Sequence, residues 1–241
     1  MIIRAILLLS MFFFAGCQGS GRFSVHSSLL GEFATADASS TESGSRYTIT
    51  IRVHSTGIYN LVRGKRTEKY TSKGSVRRGK YYSHLFAVEK WANGKHSLAE
   101  YTFDYHRHKI LRHYRDWIKG KANEDVTDTM DYFGHDDFLT VMHNAVRGES
   151  KTSGRRKTVI VAGADNSHGK VPVYVSNDPK RLQRWGGPAD GALIQVGIAK
   201  GIFDGGRGSI TAVLDAKNRP IKLIIKKVKI VRTVTATPIK K

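Results

Sequence analysis

Cysteine is almost absent from this chain: Cys17 is the one thiol in 241 residues. That excludes a disulfide framework, and a single thiol in an exported chain has no internal partner. The fold must then be held by a hydrophobic core, for which about 200 residues are ample. Long apolar runs are missing too. The N-terminal stretch Ala5–Phe14, interrupted by Ser10, is about half of the ~20 residues a helix needs to cross a bilayer core. Acidic residues are scarce, with 20 Asp and Glu against 40 Lys and Arg and a formal net charge of +20. A field of that size draws polyanions without specifying one, so anionic lipid, lipopolysaccharide, acidic glycan and DNA all qualify on charge. Motifs that place reactive groups are also lacking. No GxSxG elbow positions a nucleophile among the Ser, His and Asp residues. The glycine-rich runs "KGIFDGGRGS" and "RWGGPADG" lack the P-loop lysine pattern and a βαβ setting, which leaves them as loops. Neither an internal repeat nor a second domain is visible.

What is present begins with a leader. Arg4 precedes the apolar run and the small pair Ala15-Gly16 closes it, the layout of a cleaved secretory signal over residues 1–16. The tetrad Phe14-Ala15-Gly16-Cys17 resembles the bacterial lipobox, with Phe14 in place of the usual leucine. The resemblance implies that Cys17 is acylated and becomes the new N-terminus. Several acyl chains, at about 0.8 kcal/mol per buried CH₂, would hold the protein on a membrane essentially permanently. Gln18, rather than aspartate, follows the cysteine. By resemblance to enterobacterial sorting rules, that implies the outer membrane, with the protein facing the periplasm. Loss of Arg4 with the signal leaves 39 basic against 20 acidic residues, a net of +19.

Residues 17–45, rich in Ser, Gly, Ala and Thr and closing on "ADASSTESGS", read by composition as the lipidated cysteine and a flexible tether. A β-rich domain is expected over 46–241. In "YTITIRV" Tyr47, Ile49, Ile51 and Val53 share one face and Thr48, Thr50 and Arg52 the other, the pattern of a half-buried strand. Two strands flank Asn93-Gly94, a dipeptide that accepts the φ > 0 of a tight hairpin. "KILRHYRDWI" reads as a further strand joined to them through His106–Lys109. "GHDDFLTVMHNAVRG" is the one clear helix, over about 137–147. Asp136 or Asp137 caps its start, and Phe138, Leu139, Val141, Met142, Ala145 and Val146 form its apolar face. Strands resume from "TVIVA" to the tail, where Lys226-Lys227 mark a β-bulge or a change of face. About ten strands and one helix imply a mainly β fold, a single antiparallel, strongly curved sheet or incomplete barrel with the helix packed on it.

The segments "YTSKG", "HDDFLT", "VYVSND" and "LDAKNRPIKLIIKKVKI" running into "TVTAT", with the Tyr-rich strand pair between them, together resemble a bacterial envelope family, domain of unknown function 3108. The resemblance spans about Tyr47 to Ile239, and Asp137, Phe138, Leu139 and Thr140 fit its helix start. It implies an exported, periplasm-facing β-rich fold. It brings no reaction, cofactor or ligand-binding residue.

Candidate chemistry is sparse. In "FDYHRHKILRH" Asp104, His106 and His108 lie at period two and would share a strand face, with His113 on the next strand, a geometry that suits Zn²⁺ or Cu²⁺. Arg107 and Lys109 beside them make solvated, outward histidines the simpler expectation, so no metal and no cofactor is expected. Asp136-Asp137, with Asp128 and Asp131 upstream, is the densest carboxylate group. Capping and the helix dipole account for adjacent acids at a helix start. The anion-binding candidates are Arg77, Arg78 and Lys80, then Arg207, then Lys226, Lys227 and Lys229 in the tail. Tyr70, Tyr81 and Tyr82 interleave with the first group as aromatics do on nucleic-acid surfaces. Export argues against a nucleic-acid partner, and a cationic strand edge that blocks edge-to-edge pairing explains the same pattern.

The functional expectation is a non-enzymatic, membrane-anchored lipoprotein that binds an anionic or amphipathic envelope component, lipopolysaccharide, lipid or glycan, or assists envelope assembly. Two alternatives carry their own signatures. An envelope hydrolase would bring His106, His108 or Asp137 together in a cleft, and a structural subunit of an envelope complex would expose an apolar patch.

Overall fold

The computed structural model describes residues 19–27, 29, 31–149, 154, 156–163, 167–198, 208–228 and 232–239. Cys17 and the leader fall outside them. Strands β1 (Gly19–Ser27), β2 (Gly31–Ser43) and β3 (Arg46–Ser55) precede a short helix α1 (Gly57–Arg63). Then come β4 (Arg66–Arg77), β5 (Lys80–Ala92), β6 (Lys95–Asp104), β7 (Lys109–Ile118) and β8 (Lys121–Thr129). The two-residue β9 (Asp136–Asp137) leads directly into α2 (Phe138–Glu149). The rest is β10 (Arg156–Ala162), β11 (Lys170–Ser176), α3 (Pro179–Arg184), β12 (Ala192–Ile198), β13 (Gly208–Leu214), β14 (Pro220–Val228) and β15 (Arg232–Pro238).

All fifteen described strands belong to one sheet, ordered from β8 down to β1, then β15 down to β9. The β1–β15 pairing joins the two limbs, and among the described strands only the β9–β10 pair is parallel. The sheet does not close into a barrel, since β8 and β9 form its two ends. It curls around α2, which packs against β4 and β5 on one limb and β10, β11 and β12 on the other. The expected mainly β architecture, a curved antiparallel sheet with a helix on it, is the observed one.

One continuous core follows the concave side. It takes Phe33 from β2, Ile49 and Ile51 from β3, Tyr70 and Phe86 from the next two strands, Ile194, Ile210 and Leu223 from the other limb, and Phe138, Leu139 and Met142 from α2. The alternation read in "YTITIRV" is the one found, with Tyr47, Ile49, Ile51 and Val53 buried. The Asn93-Gly94 turn joins β5 to β6 with φ of 49° and 74°. The register of β14 against β15 shifts between Lys226 and Val228, at the place of the expected bulge. On the opposite face, Leu182 of α3 packs with Leu193 and Val213 in a smaller cluster.

The tether expected over residues 17–45 is corrected. Its described part is β1 and β2, the strands that connect the two limbs. Ala34, Ala36, Ala38 and Ser40 are buried while Thr35, Asp37 and Ser39 between them are not. The period-two signal is therefore carried by alanine and serine, whose hydropathy contrast with threonine and aspartate is small. Small inward side chains suit the inner face of a tightly curved sheet, where larger neighbours such as Tyr47 and Ile49 converge.

Candidate functional site

The local sequence sets up two adjacent carboxylates with opposite surroundings. Asp137 is the N-cap of α2: its Oδ1 accepts the Leu139 and Thr140 backbone N–H groups at 2.7 and 3.0 Å. Its Oδ2 accepts the hydroxyls of Ser72 and Ser83 at 2.5 and 2.6 Å. Tyr47 joins this network through its hydroxyl, 3.0 Å from Ser72 Oγ, and donates to Ser83 Oγ at 3.3 Å. Asp137 is fully buried, and burial raises its pKa against the pull of these donors. Four donors on a sealed carboxylate make it the peg that fastens α2 to β4 and β5.

Asp136 belongs to a cleft instead. Its Oδ1 accepts from Asn144 Nδ2 at 2.5 Å, and Asn144 also brackets the backbone of Tyr81, accepting its N–H at 2.8 Å and donating to its carbonyl at 3.0 Å. Burial pushes the Asp136 carboxyl up to about 6, opposed by the Asn144 hydrogen bond and the Lys80 ammonium.

The cleft, about 600 Å³, lies between the β4–β5 turn, α2, the first half of β10 and the middle of β11. Val141 and Ala145 of α2 and Val159 and Val173 of the strands supply its apolar lining. Among the described lining residues, Arg78, Lys80 and Lys157 bring three cations to it, against the one carboxylate of Asp136. The turn that presents Arg78 is a two-residue loop, Arg78-Gly79, with φ of 50° and 75°. That left-handed pair matches the strand twist of a tight hairpin and is why a glycine follows the arginine.

The structure separates the candidates that the sequence grouped. Arg78 and Lys80 reach the cleft, while the Arg77 guanidinium and the Lys80 ammonium sit 5.7 and 5.5 Å from the Tyr82 ring centroid. Lys226 lies elsewhere, its ammonium 4.0 Å above the Trp185 ring beside α3. Arg207 and Lys229 fall outside the described residues, and Lys227 is described only as part of the β14 backbone.

The histidine strand face is corrected. β6 ends at Asp104, and Tyr105–His108 form a turn in which His106 and His108 are exposed and His108 has φ of 52°. Asp104 accepts the backbone N–H groups of His106 and Arg107 at 3.0 and 2.9 Å, and the Arg107 bond first of all holds its carboxyl below the usual range. His113 pairs instead with Asp125 of β8 at 2.6 Å. Among the described residues no group of three or more His, Cys, Asp or Glu is placed to hold a metal ion. Asp137 is sealed in the interior and His106 and His108 are on the surface, so the set that a hydrolase required does not converge.

Sequence reasoning missed Lys157, Asn144 and the apolar lining. A signal existed in "RRKTVIVA", because the parity that buries Val161 also puts Val159 and Lys157 on the concave side.

No family model matches the chain, and no curated protein matches it. Among solved structures, the crystal structure of a beta-barrel-like protein of domain of unknown function DUF1849 from Brucella abortus aligns with a TM-score of 0.55. The alignment covers 92% of this chain and 95% of that one at 10% identity. The likeness is one of fold alone. It is to a different domain of unknown function from the one the sequence segments resemble, and it assigns no ligand and no reaction.

Proposed function

We propose that this protein is a non-enzymatic binding protein whose cleft takes an anionic amphiphile, a molecule with a phosphate or carboxylate head and an apolar remainder. The observation that carries this reading is the pairing of a valine- and alanine-lined cleft with Arg78, Lys80 and Lys157 at one site. At about 600 Å³ the cleft falls within the ordinary range for ligand sites, which are mostly apolar with a few orienting polar groups. The lipobox-like front end supplies the setting we propose with it: Cys17 as lipid anchor, and an outer-membrane protein facing the periplasm, where lipopolysaccharide and anionic phospholipid carry such head groups. Asp137 supports no catalytic role in this reading, because its oxygens are already occupied by four donors.

The test is a titration of the full-length Cys17→Ser protein with dodecyl phosphate and with neutral dodecyl maltoside, followed by calorimetry. Saturable binding of the phosphate is expected, weakened about tenfold or more by the double substitution Arg78→Glu and Lys80→Glu, each loss of 1.4 kcal/mol being a factor of ten. Equal binding of the neutral detergent, or no effect of the double substitution, refutes the proposal.

A further inference from the structure

At the end of β5 remote from the cleft, three rings stand in a row on the sheet face turned away from the core. The Asn93-Gly94 hairpin pairs Trp91 with His96, and the β6–β7 ladder pairs His96 with Trp117. The rings stack with centroids 5.1 and 4.7 Å apart and planes within 7° and 15°. Those separations are the spacing of neighbouring strands, ~4.8 Å. Beyond Trp117 the row ends at Ala122 of β8, with the Arg115 guanidinium 6.0 Å from the indole centroid.

On the other side the row stops for a different reason. The partner of Trp91 on β4 is Thr67, a side chain too short to cover an indole face. A slot of about 390 Å³ opens there, and Lys65, Thr67, Asn93, Lys95 and His96 share its walls with Trp91. No carboxylate is among its described lining residues, and Glu89 on the same sheet face is paired with His96 at 3.2 Å and with Lys69 at 3.7 Å. One wall is therefore a flat, electron-rich aromatic face, and the rim holds two ammonium groups, the Asn93 amide and the Thr67 hydroxyl, which also meets His54 Nδ1 at 3.2 Å.

We propose that the slot beside Trp91 is a sugar-stacking site that takes one pyranose ring of an acidic glycan. A pyranose lays its axial C–H groups against an indole and turns its hydroxyls outward to edge donors, which is the division of apolar and polar groups found here. The two lysines, with Glu89 already paired to Lys69 and His96, select a ring that carries a negative group. The stack continues by one position, with the sugar in the place where a fourth ring would stand over Thr67. This site does not rest on the reading of the cleft, which lies at the other end of β5.

The experiment titrates the full-length Cys17→Ser protein with tetragalacturonic acid, with neutral maltotetraose and with adenosine 5′-monophosphate, and follows tryptophan fluorescence. The acidic tetrasaccharide is expected to give a saturable change and the tightest binding of the three. Trp91→Ala is expected to weaken it about tenfold, the loss of one stacked ring, whereas Trp91→Phe keeps a ring and most of the affinity. Thr67→Phe fills the slot without removing any ring of the ladder and is expected to abolish binding in a folded protein. The Arg78→Glu and Lys80→Glu protein is expected to bind the tetrasaccharide as the parent does. Nucleotide binding tighter than sugar, equal binding of the neutral tetrasaccharide, no saturation, or an undiminished affinity in Thr67→Phe overturns the proposal.

Discussion

Replacing Asp136 with asparagine isolates one carboxylate whose folded environment opposes its charge. Asp136 is 8% exposed, and burial raises its pKa from 3.8 to about 6. A group whose pKa rises on folding contributes stability that is complete below the unfolded value and is lost as pH rises through the folded one. Once pH has passed both values, the ionised carboxylate destabilises the fold by about 3 kcal/mol, taking 1.36 kcal/mol per pKa unit. About half of that, ~1.5 kcal/mol, falls between pH 5 and pH 7.5. An asparagine at this position cannot ionise, yet its side-chain oxygen can still accept from Asn144. Urea unfolding of parent and Asp136→Asn proteins at both pH values measures the difference directly. The variant should gain about 1.5 kcal/mol relative to the parent on going from pH 5 to pH 7.5. A difference that stays flat across that range, or that turns against the variant at pH 7.5, refutes the assignment of the raised pKa to Asp136. The same substitution removes the one carboxylate among the described residues of the cleft, so dodecyl phosphate binding in the variant should lose most of its strengthening at low pH.

Other perturbations test the frame around the site. Ser83→Ala leaves Asp137 with one donor fewer in a sealed setting and should lower stability by about 1–3 kcal/mol in denaturant melts. Gly74→Ala places a Cβ 1.9 Å from the Tyr82 carbonyl oxygen and 2.8 Å from the Tyr47 ring, at the point where β4 and β5 shift register. That variant should lose about 1–3 kcal/mol or fail to fold, as read by the same melts. Phe33→Ala should destabilise by about 3–5 kcal/mol, whereas a side chain in a loose tether would leave the midpoint unchanged. Deleting residues 19–45 should abolish the β signature in circular dichroism, because the deletion removes the strands that join the two limbs.

Several of the described cations are paired within the fold. Lys226 is committed to Trp185, Arg112 pairs with Asp128 and Arg115 with Glu100. β8, at one open end of the sheet, is acidic instead, with Glu124, Asp125 and Asp128. What distinguishes Arg78, Lys80 and Lys157 is their company, an apolar cavity beside them, which net charge does not reveal.

Local rules were enough for much of the fold. Tyr47 to Val53 announced a strand by alternation, Asn93-Gly94 a hairpin by its tolerance of positive φ, and Asp137 a helix start by capping. Each depends on residues within a few positions of one another, and such signals survive in a single sequence. The turn residues even determine that Trp91 faces His96, since a two-residue loop admits that pairing. Tertiary structure decided the rest. β2 passed for a tether because alanine and serine carry its period of two with little hydropathy contrast; in β1 Phe23 and Val25 are the buried apolar residues, and only the closure of β1 on β15 shows what they pack into. Asp104, His106 and His108 looked like one strand face until the chain turned at Tyr105. Asp136 and Asp137, adjacent in sequence, were separated into a cleft carboxylate and a buried peg by what each one meets, Asn144 beside the cleft and the Ser72 and Ser83 hydroxyls in the interior. The turn at Tyr105 is local, held by Asp104, but the closure of β1 on β15 and the burial of Asp137 depend on contacts between segments more than fifty residues apart, such as Ser72 with Asp137, and no local pattern encodes them.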